Sequence, residues 1–294
     1  PTLSGAYLLS IPGFTNWAPG NLTVTNGSVR FPDGFGMRVA TNLVLHNSTL
    51  DLRNHAHLAC GGNLTVTNAS TLYLAAGMVS SLPLENGLLV EVGGELGVRS
   101  GCSILPYAHP TNGGTPLFLV KNLTVNSNAT INADGKGYGE GSFPGPGGGA
   151  TYSGGSYGGR GGSRHAGGYG PTYGCSNAPV DPGSAGTGNS LRRGGGAIRV
   201  NASGTITIDG SVTARGANGG AWEGCGSGGG IYLRCKTFQG SGVINAKGGD
   251  DTSSNKYVGG GGGGRIAIWR SRDFWTGSAP GTNWVAGGIA GLMP

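Results

Sequence analysis

The most constraining feature of the sequence is a motif that recurs every 21 residues near the N-terminus. The segments GNLTVTNGSVRF (20–31), TNLVLHNSTLDL (41–52) and GNLTVTNASTLYL (62–74) share two asparagine positions and alternate apolar with polar residues. Apolar residues two positions apart have the strand period, so both side chains of such a pair point to one face. Three pairs per repeat predict three short strands that stack on their equivalents in the next repeat, as a triangular coil.

A second, glycine-rich repeat follows in the C-terminal half. The segments GGGAIRV, GGGIYLR and GGGRIAI begin 34 residues apart, at positions 194, 228 and 262. This repeat is longer because glycine segments enter at one corner, at roughly 136–193, 216–228 and 248–264. Together the repeats predict an all-β chain, a right-handed parallel β-helix with three strands per turn and glycine-rich lateral inserts.

The alternating apolar residues are expected to form a continuous column inside the coil. These core residues are Leu22, Val24, Val29, Phe31, Leu43, Leu45, Leu50, Leu52, Leu64, Val66, Ile198, Val200, Ile206, Ile208, Ile231, Leu233, Ile266 and Ile268. The chain, 1–294, is then one elongated solenoid. Its parts are an N-terminal cap or docking segment (1–20), regular coils (21–135), a glycine-rich insert (136–193), coils with glycine inserts (194–269) and a C-terminal cap or docking segment (270–294).

Composition narrows the class of protein. Glycine provides 65 of the 294 residues but lacks the three-residue period of collagen. Only 11% of residues are charged, which argues against a chain held open by charge repulsion. The net charge of +6 is scattered, which favours an ordinary basic surface over an acidic-polysaccharide partner, and no nucleic-acid partner is predicted. No apolar run reaches about 18 residues, so no membrane span is predicted.

The segment 136–193 has two interpretations. It is either a disordered Gly/Ser linker, or an ordered layer in which extended glycine stretches pack backbone to backbone with tyrosines between them. Its tyrosine and proline content is unlike that of a plain linker and favours order. Because the chain begins at Pro1 without an initiator Met or a signal peptide, we expect a processed piece of a longer precursor.

The pattern of glycine and alternating apolar residues in GGGAIRVNASGTITIDGSVTARG (194–216) and GGGIYLRCKTFQGSGVINAKGG (228–249) resembles a known repeat. It is similar to the glycine-rich β-solenoid repeat of large secreted and surface proteins, over about 129–269. The N-terminal repeats resemble the parallel β-helices of adhesin passengers. The resemblance implies an extracellular or cell-surface protein and no defined activity.

Asparagines form two columns in the 21-residue repeat. The first holds Asn21, Asn42 and Asn63, and the second holds Asn26, Asn47 and Asn68. Asparagine tolerates left-handed backbone and bonds to its own turn, so these residues are predicted to form the corners of the coil. All except Asn42 also lie in Asn-x-Ser/Thr sequons, which leaves glycosylation as the alternative role.

The chain has five cysteines, an odd number. Cys60 occupies the inward position equivalent to Val39 and is predicted to be a core residue. Cys175 and Cys225 both lie in glycine inserts, and we expect a disulfide between them to pin adjacent inserts in an oxidising compartment. No Cys-x-x-Cys pair supports a zinc site.

Parallel β-helices also support polysaccharide lyases and hydrolases, which need converging carboxylates. The repeat places Asp51 on the outer face between Arg30 and Tyr73, so no carboxylate column is predicted. The only acidic doublet, Asp250–Asp251, could bind Ca²⁺, although solvated turn residues are the simpler interpretation. No other cofactor or metal and no enzymatic activity is predicted.

Both ends of the chain are apolar and lie outside the repeats. The expected assembly anchors are Tyr7, Leu8, Leu9, Phe14, Trp275 and Trp284. Open solenoid ends present unpaired backbone groups that attract another chain. The sequence therefore predicts a structural protein that assembles with copies of itself through end-to-end contacts. The alternatives are a polysaccharide lyase or hydrolase, and a carbohydrate-binding adhesin, with a polysaccharide or a cell-surface glycan as the partner.

Overall fold

The computed structural model describes residues 1–80, 85–139, 143–163, 168–252 and 258–277. These ranges contain strands and no helix, so the predicted all-β class is confirmed. The strands are β1 (Thr2–Ser4), β2 (Tyr7–Leu8), β3 (Asn16–Trp17), β4 (Leu22–Arg30), β5 (Gly36–Val39), β6 (Leu43–Arg53), β7 (His57–Cys60), β8 (Leu64–Thr67), β9 (Thr71–Ala75), β10 (Leu88–Val98), β11 (Ser103–Tyr107), β12 (Pro116–Val125), β13 (Thr130–Asn132), β14 (Ala197–Ala202), β15 (Thr205–Ile208), β16 (Ser211–Thr213), β17 (Gly230–Arg234), β18 (Thr237–Gly240), β19 (Val243–Asn245), β20 (Arg265–Trp269) and β21 (Arg272–Trp275). No helix able to cross a membrane occurs in this part of the chain.

All pairings between these strands are parallel, and they form three ladders. The first ladder joins β1, β4, β6, β8, β10, β12, β15, β18 and β21. The second joins β2, β4, β6, β9, β11, β13, β16 and β19. The third joins β3, β5, β7, β10, β12, β14, β17 and β20. The long strands β4, β6, β10 and β12 each contribute to two ladders.

The register of the N-terminal ladders follows the 21-residue sequence repeat. Leu22 pairs with Leu43, and Leu43 pairs with Leu64. In the second ladder Leu50 pairs with Leu72, so the third copy is displaced by one residue, as the sequence indicates. Equivalent apolar residues therefore lie directly above one another.

The register of the glycine-rich repeat differs from the 34-residue spacing of its glycine triplets. Ile198 pairs with Ile231, 33 residues on, and Ile231 pairs with Ile266, 35 residues on. A shift of one residue would turn every side chain of a strand to the opposite face. The alternation of apolar residues therefore sets the register, and the glycine inserts adjust their length to it.

The inward residues of the ladders form one hydrophobic core. All of the predicted core residues are buried except Ile266 and Ile268, which pack against the core from the last strand of the third ladder. These two are half-buried because β20 has a neighbouring strand on one side only within the described ranges.

The second asparagine column occupies left-handed backbone. Asn26, Asn47 and Asn68 have φ of 51°, 47° and 55°. The side-chain amide of Asn47 donates to Oδ1 of Asn26 at 3.1 Å. Asparagine is among the few residues that adopt this conformation at low cost, so the column serves as a corner of the stack.

The first asparagine column bridges successive repeats. Oδ1 of Asn42 accepts from the backbone N–H of Asn63 at 2.8 Å, and Oδ1 of Asn63 accepts from the N–H of Glu95 at 2.8 Å. Asn122 continues the pattern by accepting from the N–H of Thr205 at 2.8 Å. Corner N–H groups are thus satisfied by side chains where no strand pairs. Glycosylation of the sequons stays a prediction.

The glycine inserts pack on one another as a side layer. The N–H of Gly162 donates to the carbonyl of Gly260 at 2.8 Å, and that of Gly262 donates to Gly155 at 2.8 Å. The N–H of Gly228 in turn donates to Gly262 at 2.9 Å. The ordered interpretation of the described part of 136–193 therefore agrees with the structure.

Tyrosines fill the space between these inserts. The rings of Tyr157 and Tyr173 lie 4.9 Å apart, and the Arg265 guanidinium lies 5.6 Å from the Tyr157 ring centre. The Tyr173 hydroxyl donates to the carbonyl of Pro182 at 2.6 Å. Burial raises the pKa of Tyr138 to about 12 and that of Tyr157 well above its ordinary value, so both stay neutral and act as packing residues.

Alanine substitution of glycine tests this layer. A Cβ at Gly228 would lie 1.9 Å from the carbonyl oxygen of Ala246, whereas a Cβ at Gly20 would meet nothing within 4 Å. We expect Gly228→Ala to lower the free energy of unfolding by ~3 kcal/mol, because the backbone must shift. Gly20→Ala should leave it unchanged or raise it by up to ~1 kcal/mol, because the unfolded chain loses entropy. Urea denaturation of both variants measures the contrast, and equal midpoints would contradict close backbone packing.

Candidate functional site at the ends of the ladders

The strands at the N-terminal end of the ladders carry exposed apolar residues and no charged side chain. In the described ranges β1, β2 and β3 each pair on one side only, with β4 or β5. Tyr7, Leu8 and Ile11 are 47%, 68% and 58% exposed. Residues 1–29 contain no charged side chain. Unpaired strand edges usually carry charges that discourage another chain, and this edge has none.

Aromatic side chains close the core behind this edge. Phe14 packs against Phe35 with ring centres 5.0 Å apart, and Phe35 packs against Phe31 at 4.5 Å. Trp17 lies 6.4 Å from Phe31 and pairs in register with Met37 of the third ladder. Phe35 and Trp17 were not among the predicted functional residues. Phe35 precedes Met37 by two positions, so the two-residue period of a strand was the signal that marks Phe35 as an inward residue.

The C-terminal end of the ladders is more polar. β20 and β21 present Trp269 and Phe274, which are 53% and 62% exposed. Asp273 pairs in register with Phe238 of the core column and accepts from Arg270 at 2.7 Å. The Arg270 hydrogen bond holds the pKa of Asp273 below its ordinary value, so this end carries an ion pair.

The predicted anchors fall into three groups. Tyr7 and Leu8 are exposed on β2. Leu9, Phe14 and Trp275 are partly buried and pack against the core; Trp275 stacks on Phe238 with ring centres 5.0 Å apart. Trp284 lies outside the described residues. The side chains that could contact another molecule at the N-terminal end are therefore those of β2 and the turn after it.

The predicted disulfide between Cys175 and Cys225 is wrong. Both residues are free thiols; Cys175 is exposed and Cys225 is buried. Cys225 lies inside the glycine layer, where its Sγ would be 2.8 Å from a Cβ at Gly219. Burial raises the pKa of Cys225 to about 11. Cys225 is therefore a packing residue of the layer. Cys60 is buried and pairs in register with Val39, as predicted.

Several carboxylates contact basic neighbours. Asp51 accepts from Arg53 at 3.0 Å and lies in register between Arg30 and Tyr73, as the repeat predicts. Glu91 contacts Nε2 of His57 at 2.5 Å. No group of three His, Cys, Asp or Glu side chains suited to a metal occurs in the described part of the chain.

The acidic doublet lies at the edge of the glycine layer. Asp250 accepts from Nζ of Lys247 at 2.7 Å, and its backbone N–H donates to Oδ1 of Asn218 at 3.0 Å. Asp251 is buried. Calcium binding at Asp250 and Asp251 stays a prediction.

Comparisons with known proteins add nothing to this geometry. No family model matches the chain, and neither a curated protein sequence nor a solved structure matches it.

Thiol labelling tests the assignment of the cysteines. We expect iodoacetamide at pH 8 to modify Cys175 in the folded protein and to leave Cys225 and Cys235 unmodified, because burial raises the pKa of each of these two to about 11. After unfolding in urea, all three should react. Mass spectrometry of the peptides gives the readout, and a peptide containing linked Cys175 and Cys225 would contradict the assignment.

Proposed function

We propose that this chain is a right-handed parallel β-helix that serves as an extracellular structural protein, joined end to end with its own copies into a surface appendage, a matrix filament or an adhesin stalk. Three parallel ladders, stacked at the period of the sequence repeat around one core, support the architecture. The resemblance to secreted surface repeats supports the location.

The observation that carries the proposal is the uncharged edge of β1, β2 and β3. Its strands pair on one side only in the described ranges, so the N–H and C=O groups of their other side have no strand partner, and Tyr7 and Leu8 are exposed beside them. A neighbouring copy that adds a strand here satisfies those backbone groups and buries the apolar side chains.

The difference between the two ends determines what kind of assembly forms. The N-terminal end has no charged side chain, whereas β21 carries Arg272 and Asp273. An N-terminal end meeting the C-terminal end of the next copy makes a heterologous contact, which propagates as a filament. Two N-terminal ends meeting would instead give a closed dimer.

The ion pairs between carboxylates and basic side chains favour a structural function over an enzymatic one. Glycoside hydrolysis needs two carboxyl groups converging on one bond. In the described residues Asp51, Glu91, Glu95 and Glu223 each contact a basic side chain. Asp51 lies on β6, Glu91 and Glu95 lie on β10, and Glu223 lies in a glycine insert.

Substitution at the edge tests the proposal. We expect the wild-type protein to form filaments visible by electron microscopy at high concentration. Leu8→Asp should raise the concentration needed for assembly about tenfold or more, because a carboxylate would be desolvated in the contact. Met78→Asp is the matched control, since Met78 is 59% exposed and belongs to none of the ladders.

Sedimentation and electron microscopy of the three proteins distinguish the outcomes. Filaments lost in Leu8→Asp and kept in Met78→Asp support the proposal. A wild-type protein that stays monomeric, or stops at a discrete dimer, overturns it.

A further inference from the structure

A groove of about 780 Å³ runs along the corner between the third and the first ladder. The same corner of successive repeats lines it, through residues 91–93, 119–121, 201–203, 234–236 and Ser271. None of the anchors at the N-terminal end contributes to it. The groove is therefore a surface distinct from the proposed assembly edge.

The lining residues form a straight row. Glu91 pairs in register with Leu119, Leu119 with Asn201, and Asn201 with Arg234. Because paired strands lie ~4.8 Å apart, the row from residue 91 to Ser271 spans ~19 Å along the stacking direction. A groove of this length suits a linear polymer laid along the stack better than one small molecule.

The groove is rich in unpaired positive charge. The side chains of Lys121, Arg234 and Lys236 belong to exposed residues, and within the described residues none of these side chains has a hydrogen-bond or ion-pair partner. Glu91 is the one acidic residue in the lining, and its carboxylate contacts His57 at 2.5 Å. Arg234 lies in the row itself, and Lys121 and Lys236 lie two residues beyond its Leu119 and Arg234 positions. Cations spaced along a groove attract an anionic chain.

Asn201 lies in the middle of the row, next to Arg234. Its Oδ1 is buried and has no hydrogen-bond partner in the described part of the chain. A buried acceptor without a donor is unfavourable, and a ligand hydroxyl could supply that donor. The lining contains no aromatic side chain on which a nucleobase could stack, which favours a sugar polymer over a single-stranded nucleic acid.

We propose that this groove binds a linear acidic polysaccharide lengthwise without cleaving it. Lys121, Arg234 and Lys236 contact the carboxylate or sulfate groups, and Asn201 accepts a hydroxyl. Cleavage is not part of the proposal, because the lining has a single carboxylate and hydrolysis of a glycosidic bond uses a pair. The site does not depend on end-to-end assembly.

The test is calorimetric titration of the full chain, at a concentration below assembly, with polygalacturonate, dextran sulfate and neutral dextran. We expect binding of one or both polyanions, weakening with added salt, and no binding of dextran. A preference between the two polyanions identifies carboxylate or sulfate as the recognised group.

Charge-matched variants locate the site. We expect Lys121→Gln and Lys236→Gln each to weaken binding about tenfold, the factor for losing one charge-assisted hydrogen bond. Asn201→Asp should weaken it to a similar degree by placing a like charge against the ligand. Arg38→Gln is the control, because Arg38 is exposed in the same row of the third ladder, beyond Ala59 and outside the groove. It should change affinity less than about twofold.

Several results would overturn the proposal. Equal losses of affinity in Arg38→Gln and Lys236→Gln would do so, because they would indicate attraction to general surface charge. The absence of polyanion binding, equal binding of neutral dextran, or tighter binding of a single-stranded oligonucleotide would also do so. Shortening of the polysaccharide during the titration would overturn the non-cleaving role. Unchanged urea midpoints confirm that each variant is folded.

Discussion

The stacking of equivalent residues through parallel backbone hydrogen bonds is the interaction on which the rest of this structure depends. In a parallel ladder each residue lies above its register partner, so Leu22, Leu43 and Leu64 share one column. One apolar position in the repeat thereby generates a core as long as the stack. The asparagine corners depend on the same register, because Oδ1 of Asn42 can reach the N–H of Asn63 only if the repeats coincide.

The glycine layer allows insert length to vary without disturbing that register. Glycines approach one another closely enough for direct backbone contact, as between Gly261 and Gly226. Inserts of different length can therefore pack as one layer, held by backbone hydrogen bonds and by buried tyrosines. This explains why Ile198, Ile231 and Ile266 align although their spacings are 33 and 35 residues.

The sequence allowed the strand pattern to be predicted because apolar alternation acts locally and the repeat is short. Features that depend on the glycine inserts were harder to predict. The sequence offered no way to see that Cys225 is enclosed in the layer while Cys175 is exposed, so their shared location in the inserts suggested a disulfide. Lys121 and Lys236 lie far apart in the sequence, and their proximity depends on how much chain the inserts absorb between β12 and β17.

The position of the groove connects the two proposals. The cations of the groove do not continue beyond it along the same register row. Toward the N-terminal end the row continues through Glu91 to Ala59, and toward the C-terminal end Arg234 pairs with Trp269. In a head-to-tail filament every subunit makes the same contact with the next, so the groove would recur once per subunit. A long polyanion could then occupy several grooves at once, and its effective concentration at each further groove would be high. A groove of modest affinity would in this way hold a polysaccharide firmly on the filament and weakly on the free subunit.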